Sequence, residues 1–364
     1  MTPRLRALAE QLLPLVVALL VAAVVGDVLI LTFGEAPRTV FRLLVEGTWG
    51  NPYGIGQVLY KTTTLTCTGL AFALAGRAGL FNVGAESQLA MGGFAAGVVG
   101  MLLPAGLPGA FALALCVVAA GVGGATVGAI PGALRARFGA SEVIVTIMLN
   151  FVVLALLNWV ISAKLHVPET LHTPPVVAGT VPRLSTLFPA LHGSAANGTL
   201  VIALAAAVVC WRALFRTRFG FELRAVGLQP DAAEYGGVQV PRVIWQTMAL
   251  SGALAGLGGM NFVLGYKGYY EEGFAGGAGF LGIAVALVGR NHPLGIVLAA
   301  VLFATLSQGG LAVNALVPKQ LTDILTAVVI LAVATAVPEV RRQLRAAAAQ
   351  VRQSVAGTAA EKAS

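Results

Sequence analysis

Charge is scarce in this sequence. Asp, Glu, Lys and Arg make up 10% of its 364 residues, where soluble domains run near about a quarter. With 57% hydrophobic residues and a mean hydropathy of +0.86, this scarcity excludes the two or three soluble domains that the length alone would suggest. Cysteine is nearly absent as well. Cys67, Cys116 and Cys210 stand alone in apolar segments, form no CxxC pair and no metal spacing, and say little about redox compartment. No G-x-x-x-x-G-K-[ST] stretch occurs, so the chain has no Walker-type ATP site. G-x-S-x-G, H-E-x-x-H and paired-carboxylate motifs are also missing, which argues against an intramembrane enzyme.

What is present is a series of long apolar runs. We expect an all-α polytopic membrane protein with about ten transmembrane helices. The spans fall near 12–33, 55–76, 79–102, 108–130, 142–163, 198–214, 243–264, 279–289, 293–313 and 321–337. The eighth is too short to cross a core of about 30 Å as a straight helix, so a broken helix lining a cavity is one way to accommodate it. With the N-terminus inside, 16 Lys and Arg fall on the inner side and 7 on the outer. By the positive-inside rule, both termini and the charged stretch 212–242 are then cytoplasmic. The same rule accounts for the net charge of +8, and no basic-aromatic pattern points to nucleic acid. The external loop 164–198 is Pro-rich and holds His166, His172 and His192 without metal-ligand spacing, so these read as solvated histidines. It divides five spans from five. An odd number in each half reverses the second half across the membrane, as in a 5+5 inverted repeat.

Polar residues inside the spans are costly and therefore informative. Asn82 and Glu86 are four apart in one such stretch, beside Phe81, and the spacing puts them on one helix face. Glu142, Thr146 and Asn150, next to Phe151, form a stripe in another. Two readings stay open: a hydrophilic substrate path, or interhelical hydrogen bonds without a substrate role. Glu142 sits where a helix favours a carboxylate at its first turn, so it reads as a cap. The 45 glycines, often about four apart, suit close helix packing. Within the charged stretch, Pro230 and Asp231 open a helix of about two turns, and Gly236-Gly237 stops it. So short a helix must dock on something, and we read it as a knob for a cytoplasmic partner.

GLFNVGAESQ at 79–88 and SEVIVTIMLNF at 141–151 resemble signature stretches of the permease subunits of bacterial ABC importers. The branch is the one for branched-chain amino acids, ribose and nucleosides, and the second stretch is most similar to the nucleoside permeases. FELRAVGLQPDAAEYGGV at 221–238 resembles their cytoplasmic coupling region. Asp231 stands where the coupling loop has glutamate, and Ser87 where the first signature has glycine. The resemblance spans about 55–340; with the apolar runs and the polar, Ala-rich end, we expect a transmembrane permease domain over 1–338 and a cytoplasmic tail at 339–364. On the path reading, which the two stripes together favour, the substrate-path residues are Asn82, Glu86, Thr146 and Asn150, with Phe81 and Phe151 beside them to stack on a base. ATPase coupling would fall to Pro230, Asp231, Ala232, Ala233, Glu234 and Gly237. No cofactor or metal is expected on this chain; ATP and Mg would bind a partner ATPase. The other expected partners are a second, related permease chain, an extracytoplasmic binding protein and membrane lipid, with the bacterial cytoplasmic membrane as the location. A sugar or branched-chain amino acid is the alternative substrate, and an ion-coupled secondary transporter using Glu86 is the rival class.

Overall fold

The structure, a computed structural model, describes residues 20–318, 320 and 323–332. The expected tail, the start of the first span and the two ends of the last lie outside the described residues. Among the described residues the chain is helical, and its β pairing consists of two isolated bridges. The helices are α1 (Leu20–Thr32), α2 (Pro37–Thr48), α3 (Pro52–Arg77), α4 (Ala85–Leu102), α5 (Gly109–Phe138), α6 (Glu142–Val160) and α7 (Thr199–Arg216). They continue with α8 (Arg218–Leu228), α9 (Pro230–Tyr235), α10 (Val240–Phe262), α11 (Ala278–Val288), α12 (Pro293–Val313) and α13 (Asp323–Ala332).

Five of the described helices are long and apolar enough to cross a membrane, six if the α1–α2 pair, bent by 113°, counts as one span. The expected spans at 55–76 and 79–102 are the helices α3 and α4. They fall short of that apolarity because they carry Lys61 and a threonine run, and Glu86, Ser87 and Gln88. A buried helix tolerates such groups where a lipid-facing one does not: Lys61 donates to Ser307, and Gln88 pairs with Asn82. Helix α2 has no counterpart among the ten expected spans.

The chain divides into two compact units. In the smaller, α1, most of α2 and the segment after Gln308 enclose Ile30, Val40, Val313 and Val317. The larger, Glu46–Gln308, is built round α10, which packs on α3, α4 and α5. Packing is reciprocal between the two halves of the sequence: α3 lies against α11, and α10 against α4. Glycine makes the α4–α5–α10 contact possible. A Cβ on Gly124 would overlap the Gly252 carbonyl, and one on Gly256 the Ala120 carbonyl. Such backbone approach replaces the hydrophobic drive that lipid cannot supply.

Helix ends explain the entry points. Asn51 caps α3, its side chain accepting from the Gly54 N–H at 2.6 Å, with Pro52 at the first helical position. Helix α5 stops at Gly139, whose φ of 65° is left-handed. Helix α4 begins six residues after the expected start of its span, because Gly79–Gly84 form a turn instead.

Candidate functional site

Two helices in the larger unit start in mid-bundle, and they start beside each other. Helix α4 follows the turn at 79–84. Helix α11 follows a loop in which Gly268, Gly273, Gly276 and Gly277 all have positive φ. At about 16 Å, α11 spans half a bilayer core. The first N–H groups of a helix lack intrahelical partners and carry partial positive charge. Glu86 bonds the N–H groups at the start of α11 and places its charge at the start of α4. It sits in the first turn of α4 while its carboxylate accepts from the Gly277 N–H at 2.8 Å and the Gly279 N–H at 2.7 Å. The side chain is 6% exposed.

Around this junction the other polar residues pair among themselves. The Asn82 amide and the Gln88 amide bond to each other at 2.8 and 3.1 Å. Asn82 also donates to Ser251 Oγ at 2.7 Å and accepts from the Gly84 N–H at 3.0 Å. Ser251 in turn donates to the Ala71 carbonyl at 2.6 Å. Asn150 accepts from the Ser87 N–H at 3.1 Å and donates to the Val83 carbonyl at 3.0 Å. Thr146 bonds its own helix at the Glu142 carbonyl, 2.7 Å away. This network ties α3, α4, α6 and α10 together, and buried polar groups require such partners.

Thus Asn82 and Glu86 do not share a helix face. Asn82 lies in the turn before α4 and reaches α10, whereas Glu86 reaches α11. Thr146 and Asn150 share the buried face of α6 as the spacing predicts. Phe151 is 69% exposed on a different face. Phe81 is half-exposed and packs edge-on against Phe72, with centroids 4.7 Å apart. Glu142 is at the first turn of α6, 3.6 Å from Arg135 and 3.4 Å from the Phe81 N–H.

A cavity of about 270 Å³ opens next to the Glu86 junction. Tyr60, Lys61 and Thr64 of α3 form one wall, and Ser307 of α12 stands near it. Phe262 of α10, the Phe274–Ala278 segment and Leu281 of α11 complete it, with Leu89 of α4. Phe262 and Phe274 stack at 4.9 Å with planes 25° apart. The Lys61 ammonium donates to Ser307 Oγ at 3.0 Å. Among the described residues no carboxylate lines the cavity. The space therefore offers flat aromatic faces, hydroxyls and one cation, which suits a neutral ligand rich in acceptors and carrying a planar ring. Sequence reasoning sets Lys61 among the outer charges. Its signal was an ionisable residue at the seventh position of the expected span 55–76, which marks a functional site by default.

At the 164–198 end, the loop lies along the segment after α10. The Val176 and Val181 N–H groups reach the carbonyls of Gly268 and Leu264 at 2.7 and 2.9 Å. The Thr173 N–H reaches the Tyr270 carbonyl at 2.9 Å. His172 stacks on Tyr269 at 4.2 Å rather than standing in solvent. Below, Asn261 joins Asn197, Thr199 and Thr64 through its amide, with distances of 2.9 Å to each.

At the other end, α9 forms as its sequence predicts, with Pro230 and Asp231 in the first turn and Gly237 left-handed at φ 84°. Ala233 is its buried residue, while Asp231, Ala232, Glu234 and Tyr235 are exposed. Helix α9 rests on α8, and α8 rests on the end of α3. A Cβ on Gly227 would overlap the Arg77 carbonyl.

The family described as branched-chain amino acid transport system / permease component matches residues 54–334. The chain is 37% identical over 335 residues to the guanosine ABC transporter permease protein NupP of Bacillus subtilis, covering 90% of this chain and 94% of that one. It is 35% identical to the nucleoside ABC transporter permease protein NupB of Lactococcus lactis subsp. cremoris, covering 89% and 91%. It is 34% identical to the glucose ABC transporter permease protein TsgB13 of Haloferax volcanii, covering 87% and 85%.

Proposed function

The chain belongs to the family of branched-chain amino acid transport system permease components, and from that premise we propose that it passes nucleosides through an ATP-driven importer. The observation that carries the substrate is the cavity between α3, α10 and α11. A nucleoside brings a planar base for Phe262 and Phe274, and acceptors for Lys61, Thr64 and Ser307. An amino acid brings an ammonium group, and among the described lining residues no carboxylate is there to pair it. Two relatives, NupP and NupB, are described as guanosine and nucleoside permeases. A sugar is the second reading. It is favoured by the glucose permease TsgB13 and by the hydroxyl-rich wall of Tyr60, Thr64 and Ser307.

The path runs past the Glu86 junction. Asn82, Thr146 and Asn150, with their hydrogen bonds already made within the bundle, hold the frame, and Phe81 packs against Phe72 at its edge, while Phe151 faces away. Glu86 fixes Gly277, which is part of the cavity wall. ATP and Mg belong to cytoplasmic ATP-binding subunits, which dock on Pro230, Asp231, Ala232, Ala233, Glu234 and Gly237. A second permease chain completes the translocator, and an extracytoplasmic binding protein delivers substrate to the 164–198 side. The protein sits in the bacterial cytoplasmic membrane with both termini inside. Alternating access then follows from rocking of the two halves about the broken helices.

The test is competition. In cells whose only uptake route is this importer, excess unlabelled nucleosides should abolish uptake of a labelled nucleoside, and leucine should not. Competition by glucose or ribose alone would transfer the assignment to sugars, and competition by leucine alone would remove both readings.

A further inference from the structure

A second cavity, of about 670 Å³, lies at the far end of α3 from the first, walled by α3, α8 and the turn between α11 and α12. Three arginines line it: Arg77, Arg224 and Arg290, with Asn291. Among the described residues no carboxylate does. Arg77 and Arg224 both lie over the Phe215 ring, at 5.7 and 5.4 Å from its centroid. Burial, and then the neighbouring Arg224, hold the Arg77 guanidinium below its ordinary range. Arg77 and Arg224, held together over Phe215 with no described carboxylate in the lining, leave a positive field in a half-buried concavity, and such a field concentrates anions.

The surroundings indicate what kind of anion. Phe221, on the rim, is 63% exposed, Leu228 is 85% exposed, and Tyr235 of α9 is 95% exposed. These sit among the charges of α8 and α9, outside the apolar spans. Exposed aromatic and apolar side chains round a basic pocket resemble the anchors of a protein interface. A lipid headgroup would not call for them.

We propose that this pocket receives a carboxylate side chain of the ATP-binding subunit, forming a second coupling contact beside α9. The proposal rests on the reading that such a subunit docks on this face. Its mechanical consequence follows from the connections on either side. The Arg77 guanidinium donates to the Asn291 and Arg290 carbonyls at 3.0 and 3.5 Å, so it holds the end of α3 to the turn after α11. Both helices carry cavity-lining residues at their other ends: Tyr60, Lys61 and Thr64 on α3, and Ala278 and Leu281 on α11. A carboxylate entering or leaving between Arg224 and Arg77 would pull on two walls of the substrate cavity at once.

The experiment measures binding of labelled ATP-binding subunits to the permease pair in nanodiscs of neutral lipid, at low and high salt. Arg224→Gln should weaken binding by about tenfold or more, and Arg224→Glu further, with loss of the salt-sensitive component. Arg224→Lys keeps the charge and should stay within about threefold of the parent, which separates charge from fold damage. Arg218→Glu, on a side chain 90% exposed outside this pocket, is the control and should change little. Ala233→Arg on α9 tests docking itself. If Ala233→Arg weakens binding and the Arg224 variants do not, docking stands and the carboxylate contact is overturned. If neither weakens binding, the docking reading fails with it. If Arg224→Lys behaves like Arg224→Gln, charge is not what the partner reads. An Arg224 effect seen only with anionic lipid added would assign the pocket to a headgroup and likewise overturn the proposal.

Discussion

Glu86→Gln removes a single charge at the point where two helices begin. Each bond from a backbone N–H to a buried carboxylate contributes about 1.5–3 kcal/mol. Glutamine keeps one acceptor oxygen and turns an NH2 toward the other N–H. One of the bonds to Gly277 and Gly279, at 2.8 and 2.7 Å, is therefore lost, and the survivor loses its charge. Attraction to the two helix N-termini goes as well, adding about 0.5–1 kcal/mol for each. We expect a cost of about 3–5 kcal/mol. Cys67, Cys116 and Cys210 are all buried free thiols, so a thiol-reactive dye reports unfolding without added labels. The midpoint should fall by about 5–10 °C on the usual size scaling. Glu142→Gln is the comparison. That carboxylate has only a 3.4 Å contact with the Phe81 N–H and a 3.6 Å ion pair with half-exposed Arg135, so about 0–1 kcal/mol is at stake. Equal melting of the two variants would refute the claim that Glu86 joins α4 to α11.

Four other outcomes are expected. Lys61→Met should cut uptake by about tenfold at normal expression while the ATP-binding subunits still co-purify, since the change removes a donor inside the cavity and touches nothing at the coupling end. Gly124→Val should fail to yield folded permease, because its side chain would enter the Gly252 backbone, whereas Gly106→Val, in open space, should express normally in the same blot. A cysteine at exposed Leu187 should label from outside in a Cys-free background and one at Gln229 should not; external labelling at 229 would invert the topology. Ala232→Pro should abolish substrate-stimulated ATP hydrolysis with insertion intact, and full transport by that variant would dismiss α9 as a coupling element.

Much of the bundle was legible because a bilayer demands long apolar runs, and those runs stand out around residues such as Val143–Leu157. Helix α9 was legible for a different reason: Pro230, Asp231 and Gly236-Gly237 are local signals that act within two turns. Less legible was whatever depended on where a helix breaks. Spacing put Asn82 and Glu86 on one face only on the assumption of a continuous helix, and the turn before Ala85 removes that assumption. The partner of Glu86 lies almost two hundred residues away, at Gly277 and Gly279, and nothing local announces it. The cavity was hidden in the same way. Its aromatic pair joins Phe262 to Phe274 across a glycine loop, and its polar pair joins Lys61 to Ser307. Helix α2 was missed because a twelve-residue amphipathic helix leaves no long apolar run.

The most direct measurement is ATP-dependent accumulation of a labelled nucleoside by the purified, complete transporter in proteoliposomes, with the parent chain beside Phe274→Ala. The parent should accumulate the nucleoside only with ATP and the binding protein present. Phe274→Ala, which removes one stacking face from the cavity, should lose most of that accumulation while basal ATP hydrolysis persists. Unchanged accumulation by Phe274→Ala would take the cavity off the path, and a parent transporter that moves glucose or leucine but no nucleoside would contradict the account at its centre.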